Sequence, residues 1–94
     1  MGKPIFTGPL RVEIVVNFAR PKNHFRTGKH AGKVKPDAPN YHTTKPDRDN
    51  LDKAILDALT NAGIWADDSI VCAGGITKQY ATTTPGAYVE ITKL

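Results

Sequence analysis

The chain has 94 residues, of which 13 are Lys or Arg and nine are Asp or Glu, so its net charge at pH 7 is +4. This length suits one small domain covering residues 1–94, and the positive charge favours nucleic acid or another anionic partner. The single cysteine, Cys72, excludes an intramolecular disulfide, and the N-terminal segment has no apolar run of the kind that a signal peptide or a membrane span needs.

The first element in the chain is a predicted strand. Leu10, Val12, Ile14, Val16 and Phe18 alternate with mostly polar residues, which is typical of a half-buried strand. Residues 20–46 then show no periodicity and contain seven Lys or Arg, one acidic residue and all three histidines. We interpret them as a long basic loop, a kind of segment that in small domains is usually functional or disordered.

The histidines and the cysteine predict no metal site. His24, His30 and His42 match no zinc-binding spacing, either among themselves or with Cys72. We expect the histidines to be solvated loop residues or phosphate contacts. Cys72 falls in an alternating segment, and we expect it to be a small buried residue.

A helix follows the loop. Its apolar residues recur at helical spacing and form one continuous stripe, which predicts packing on one side. These residues are Leu51, Ala54, Ile55, Ala58, Leu59 and Ala62. Asp49 is the expected N-cap, and Gly63 is the expected stop.

Two further strands complete the predicted fold. The second spans about 69–80 and is expected to bulge or bend at Gly74-Gly75, and the third spans about 88–92. With a turn at Pro85-Gly86 between them, they are predicted to pair as a hairpin. The fold class is therefore α+β, a small sheet of about three strands with one main helix packed on it.

Acidic residues are concentrated around the helix. Six of the nine lie between Asp47 and Asp68. Carboxylates crowded in this way repel one another unless a cation lies among them, and a hard divalent ion suits oxygen ligands best. Helix capping accounts for Asp49 and Asp52, but it does not account for Asp47 or for the pair Asp67-Asp68.

Lys53 follows Asp49 by four residues and precedes Asp57 by four, so the three share one helical face. One interpretation is a solvated series of ion pairs. The other places Lys53 over a metal-bound phosphate, where its charge would stabilise the transition state. The spacing alone favours neither.

Three segments carry a resemblance to a known family. Residues 45–54 (KPDRDNLDKA), 57–59 (DAL) and 63–71 (GIWADDSIV) resemble the RusA family of Holliday-junction resolvases, with weaker similarity over the first strand and the last two. The basic loop resembles that of phage-borne members. Family members usually carry a further strand and helix before the first strand seen here, so we expect a short version or a fragment.

The resemblance implies an activity and a set of site residues. It implies a homodimer that binds four-way DNA junctions and nicks opposing strands by magnesium-dependent hydrolysis, with Mn²⁺ as a substitute. By position, Asp47, Asp49 and Asp68 would bind the metal and Lys53 would be the catalytic lysine. The expected DNA contacts are Arg20, Lys22, Arg26, Lys29, Lys33, Lys35 and Lys45.

Further expectations follow from the same resemblance. The reaction would serve DNA recombination and repair in the cytoplasm of a bacterial or phage-infected cell. Independently of the resemblance, three strands and one helix bury little surface, which favours a dimer, and we expect Leu56 and Trp65 to lie in the core or at the dimer interface. Two alternatives remain open at this point: a nuclease for other branched DNA, and a DNA-binding fragment without catalysis.

Overall fold

A three-stranded mixed sheet and one helix form the framework of the computed structural model, which describes residues 3–94. In chain order the elements are β1 (Leu10–Phe18), α1 (Arg48–Asn61), β2 (Val71–Tyr80) and β3 (Gly86–Lys93). Single turns of 3-10 helix lie at Lys22–His24, Gly28–His30 and Asp68–Ile70. The predicted α+β class is confirmed. None of the helices in this part of the chain is long and apolar enough to cross a bilayer.

β1 is the central strand, and the strand order is β2-β1-β3. It pairs in parallel with β2 and antiparallel with β3. The predicted hairpin between the second and third strands is therefore wrong, and Gly86 begins β3 instead of forming a turn with Pro85. The intervening residues 81–85, at about 3.3 Å each, are long enough to cross the two inter-strand spacings of about 4.8 Å over the end of β1.

The core explains why β1 is central. Leu10, Val12 and Ile14 of β1 are almost fully buried, together with Trp65 and Ile76. A strand this apolar is best covered when it has a neighbour on each side. On the inner face of the sheet, the large members of the helical stripe are half-buried against this core, whereas its alanines are exposed. The half-buried members are Leu51, Ile55 and Leu59.

The ends of α1 differ in part from the prediction. Asp47 occupies the N-cap position, with an extended backbone, and Asp49 lies inside the first turn, so the prediction of Asp49 as N-cap is wrong. Aspartate is a preferred N-cap residue at either position, so residue type and spacing do not show whether Asp47 or Asp49 caps the helix. Gly63 has a φ of +80°, and this left-handed residue ends the helix as predicted.

The irregularity in β2 lies at Cys72. Leu10 faces Val71 and Arg11 faces Ala73, which leaves Cys72 as the extra residue. The predicted bulge at Gly74-Gly75 is therefore displaced by two residues. An extra residue changes which face the following side chains occupy. Cys72 is accordingly exposed, and its predicted burial is wrong.

The basic loop has more internal structure than its sequence indicates. Residues 24–35, which we call the flap, fold back on themselves through a bridge between Phe25 and Val34. Two backbone hydrogen bonds support it, from Arg26 N to Lys33 O (2.7 Å) and from Lys35 N to His24 O (2.8 Å). The loop therefore presents a small antiparallel element beside the sheet.

An aromatic cluster joins the loop to the end of the sheet. The His42 ring stacks on Phe18 with 3.8 Å between ring centroids, and it meets Tyr80 edge-on at 5.3 Å. His24 packs edge-on against Tyr80 at 4.7 Å. The expectation that these two histidines are solvated is wrong, because both lie half-buried against aromatic rings. His30 also is not fully exposed.

Candidate active site

Two of the predicted site residues lie where the basic loop enters α1. Asp47 is the N-cap, and its carboxylate makes no hydrogen bond to the helix amides. Asp49 is in the first turn, and both residues are exposed. Negative charge is favourable at a helix N-terminus because of the unpaired amides and the helix dipole. Both carboxylates are thus held at one end of α1 with their oxygens free to accept a ligand.

The third predicted carboxylate lies in the turn that leads into β2. Asp68 begins the 3-10 helix Asp68–Ile70 and is half-buried. Its neighbour Asp67 has a structural role: Asp67 Oδ1 accepts a 2.9 Å hydrogen bond from Ser69 N, and this bond lowers the pKa of the Asp67 carboxyl. The two adjacent acids are therefore distinguished by geometry. Asp67 caps the turn, and its side chain also interacts with that of Asp68.

A buried tryptophan ties this turn to the helix. The Trp65 side chain is 1% exposed, and its Nε1 donates a 2.7 Å hydrogen bond to Thr60 Oγ1. Thr60 Oγ1 in turn donates to Leu56 O at 2.9 Å. Trp65 thus belongs to the core of this chain, one of the two places expected for it, and Leu56 stays a candidate for the dimer interface. Because Trp65 precedes Asp68 by three residues, its burial restricts where the acidic turn lies.

The turn that carries Asp68 packs against α1. The first half of β2 lies beside the same helix. An open cleft of about 240 Å³ separates α1 from β2, and Asp52 and Leu56 line its helical side. Within residues 3–94, however, no three His, Cys, Asp or Glu side chains are close enough together to hold a metal ion as they stand.

Asp52, for which the sequence predicts only a helix-capping role, is a further carboxylate in the wall of this cleft. Its position three residues after Asp49 predicts a cap, but the side chain faces the cleft opposite Gly74 and Gly75. The helical spacing of the sequence indicates this position, because Asp52 directly follows Leu51 and precedes Leu56 by about one turn. That spacing places Asp52 at the border of the apolar stripe and hence toward the sheet.

The acidic residues of the candidate site have no cationic partner among the described residues. In residues 3–94, Arg11–Glu13 at 3.7 Å is the only ion pair within 4.0 Å. Lys53 is exposed and forms no such pair with Asp49 or Asp57, so the series of helical ion pairs is not formed. The negative charge of these carboxylates is therefore not compensated by a neighbouring cation. Their oxygens are the donor type that hard divalent ions prefer.

The predicted DNA contacts fall into two groups. Six of them are exposed along the loop: Lys22, Arg26, Lys29, Lys33, Lys35 and Lys45. Arg20 differs, because its guanidinium donates to Pro39 O at 2.8 Å and lies 5.4 Å from the Tyr80 ring centroid. Its side chain is used inside the fold, where it holds the loop against the aromatic cluster.

Comparison with known proteins gives two matches. The family profile described as Endodeoxyribonuclease RusA matches residues 1–92. A curated relative, the crossover junction endodeoxyribonuclease RusA of Escherichia coli O139:H28 (strain E24377A / ETEC), is 46% identical over 46 residues, which is 49% of this chain. That match spans 37% of the relative's length. No solved structure matches the chain.

Proposed function

Since the chain belongs to the RusA endodeoxyribonuclease family, we propose that it is a divalent-metal-dependent endonuclease that cleaves four-way DNA junctions. The name of the curated relative, a crossover junction endodeoxyribonuclease, supports this substrate. The reaction would contribute to DNA recombination and repair, in the cytoplasm of a bacterial or phage-infected cell.

The observation that carries the proposal is the set of uncompensated carboxylates in a basic protein. Asp47 caps α1, Asp49 lies in its first turn and Asp68 begins a turn that contacts this helix. No described Lys, Arg or His pairs with any of the three within 4.0 Å. Their oxygens fit Mg²⁺, with Mn²⁺ as a substitute. When bound, such an ion supplies a polarised phosphate and an activated water. The three side chains would hold it only after a rearrangement, because they do not enclose a site in their present positions.

Lys53 is placed where its positive charge could stabilise a bound phosphate. It lies one turn after Asp49 on the exposed side of α1, and no described carboxylate neutralises it. We assign it to the scissile phosphate, where a fixed positive charge stabilises the charge that develops in the transition state. A lysine on a rigid helix suits this role better than one on a loop, because less reorganisation is needed.

The exposed basic residues of the loop would bind the DNA backbone. Backbone contacts position a protein on DNA without reading its sequence, so junction selection would depend on the shape of the branch. Lys45 lies two residues before Asp47, so the loop leads directly into the acidic site. Arg20 is assigned to support of the loop instead of direct contact, on the geometry given above.

We further propose that the active species is a homodimer. Cutting two opposing strands requires two sites, and a sheet of three strands with one helix buries little surface for independent stability. Leu56 remains a candidate for the interface because it is only half-buried and lines the cleft. A monomeric mass by light scattering at tens of micromolar protein would contradict this assignment.

The experiment is a cleavage assay on a panel of DNAs of the same sequence: a four-way junction, a flap-bearing duplex and a linear duplex, each with Mg²⁺ or with EDTA. We expect symmetric nicks in the junction with Mg²⁺ and none with EDTA. Equal rates on the junction and on the flap-bearing duplex would favour a general nuclease for branched DNA. Tight junction binding without cleavage would identify a DNA-binding protein and refute the catalytic proposal.

A further inference from the structure

The flap carries an open concavity outside the acidic site. Its volume is about 500 Å³, and Phe25, Gly28, Ala31 and Gly32 form much of its wall. A Cβ added at Gly28 or at Gly32 would meet no atom within 4 Å, so the space is open. Phe25 is half-buried and therefore offers part of its ring to this space. The volume lies within the usual range for small-ligand sites.

Charge indicates what kind of ligand this concavity accepts. Lys22 and Arg26 also line it, and residues 20–36 contain no Asp or Glu. A second copy of the flap would bring like charges together, which disfavours self-association at this surface. A ligand with an apolar, planar part and an adjacent negative charge would match both the Phe25 ring and the positive charge of Lys22 and Arg26. A nucleotide within DNA has this chemistry.

We propose that the concavity binds one unstacked nucleobase of a branched DNA, stacked on Phe25, with the adjoining phosphates next to Lys22 and Arg26. Stacking of bases on aromatic side chains is a general mode of recognition of unpaired nucleic acid, because every base has a π-face. This inference rests on the proposed function, since branch points are where a duplex substrate supplies unstacked bases. It adds a base-binding subsite that is separate from the carboxylates.

The test measures binding in EDTA, so that cleavage does not contribute. Two four-way junctions are compared, one fully paired and one with a single unpaired 2-aminopurine at the branch point. We expect wild type to bind the second junction more tightly and to change the fluorescence of its 2-aminopurine. Phe25→Ala should lose at least about fivefold in affinity for that junction, the lower end of the cost of losing one base stack. Its affinity for the paired junction should stay within about twofold.

Val34→Ala is the matched control, because Val34 is the bridge partner of Phe25 but does not line the concavity. It should keep both the affinity and the fluorescence change, and Phe25→Trp should keep them too. Ala31→Leu fills the concavity without altering Phe25, so it should lose affinity as Phe25→Ala does. It replaces Phe25→Ala in the test if circular dichroism shows the Phe25→Ala variant to be unfolded.

Other outcomes separate the two proposals. Equal behaviour of Phe25→Ala and wild type on both junctions would overturn the base-binding subsite and leave the nuclease proposal intact. Failure of wild type to bind any branched DNA would overturn both. A Phe25→Ala variant that changes only the oligomeric mass would show the concavity to be a contact between copies and would also overturn the inference.

Discussion

Gly74 of β2 lies against the main chain of Val12 in β1, so close that a Cβ at this position would overlap the Val12 carbonyl group. Its φ of +117° is also one that residues with a side chain rarely adopt. The next residue, Gly75, has no such restriction: a Cβ there would lie 3.8 Å from Glu13 Oε2. Of these two adjacent glycines in the wall of the α1–β2 cleft, only Gly74 is required to be glycine by its backbone and its contacts.

Gly74→Ala is expected to lower the free energy of unfolding by more than about 2 kcal/mol, because both the backbone conformation and the contact with Val12 would have to change. Gly75→Ala should change it by less than about 1 kcal/mol, since the added methyl group meets only the end of a flexible side chain. Urea denaturation followed by circular dichroism compares the two. Equal losses in both variants would contradict the close approach of β1 and β2 at Gly74.

The link from Trp65 to Thr60 predicts a coupled pair. Trp65→Phe should cost about 1–3 kcal/mol of stability, because it removes the hydrogen bond to Thr60 Oγ1 and leaves unfilled space in the core. Thr60→Val should cost less, and the double variant should cost less than the sum of the two. Additive losses in the double-mutant cycle would indicate that the two side chains do not interact.

Protonation of His42 is expected to destabilise the fold. Burial, and secondarily the positive charge of Lys78, lowers the pKa of His42 below its usual 6.5. The unfolded chain therefore binds the proton more readily than the native one, so the contribution of His42 is fully present above about pH 6.5 and is lost as the pH falls through the lower native pKa. His42→Phe, which retains a ring against Phe18, should flatten the pH dependence of the melting temperature between pH 5 and 7. An unchanged slope would contradict this.

Metal binding should appear as a gain in stability. A cation that binds only the folded state, present at a concentration one hundred times its dissociation constant, raises the free energy of unfolding by about 2.7 kcal/mol. Mg²⁺ or Mn²⁺ should therefore raise the melting temperature of wild type more than sodium chloride of equal ionic strength does. Asp49→Asn should reduce this response, whereas Asp57→Asn, two turns further along α1, should preserve it. An identical Mg²⁺ response in wild type and Asp49→Asn would mean that Asp49 does not hold the metal.

The parts of the fold that depend on neighbouring residues were predictable from sequence. Alternation over β1, the helical stripe and the stop at Gly63 all reflect local backbone geometry, and the structure confirms them. The family was also recognisable, because its motif lies in one nearly continuous stretch, residues 45–71, within the matched region.

Features that depend on distant contacts were not predictable in this way. The central place of β1 follows from burial on both of its sides, which no local pattern records. The exposure of Cys72 follows from one extra residue in the pairing with β1. The role of Asp67 rests on a local hydrogen bond from Ser69, but the two adjacent acids are not distinguished by the sequence. The site residues themselves remain a prediction, because the carboxylates do not enclose an ion in their present positions.

The neighbours Asp67 and Asp68 offer the most direct test of the proposed site. Asp67→Asn keeps an oxygen that can accept the Ser69 hydrogen bond, whereas Asp68→Asn removes the negative charge of a proposed metal ligand, and the variants otherwise differ by a single position. The measurement is the single-turnover rate of four-way junction cleavage in Mg²⁺, with junction affinity measured in EDTA. We expect Asp68→Asn to lose at least about a hundredfold in rate while binding the junction as tightly as wild type or more tightly, and Asp67→Asn to stay within about threefold. A full rate for Asp68→Asn, or an equal loss in both variants, would contradict the assignment of Asp68 to the metal.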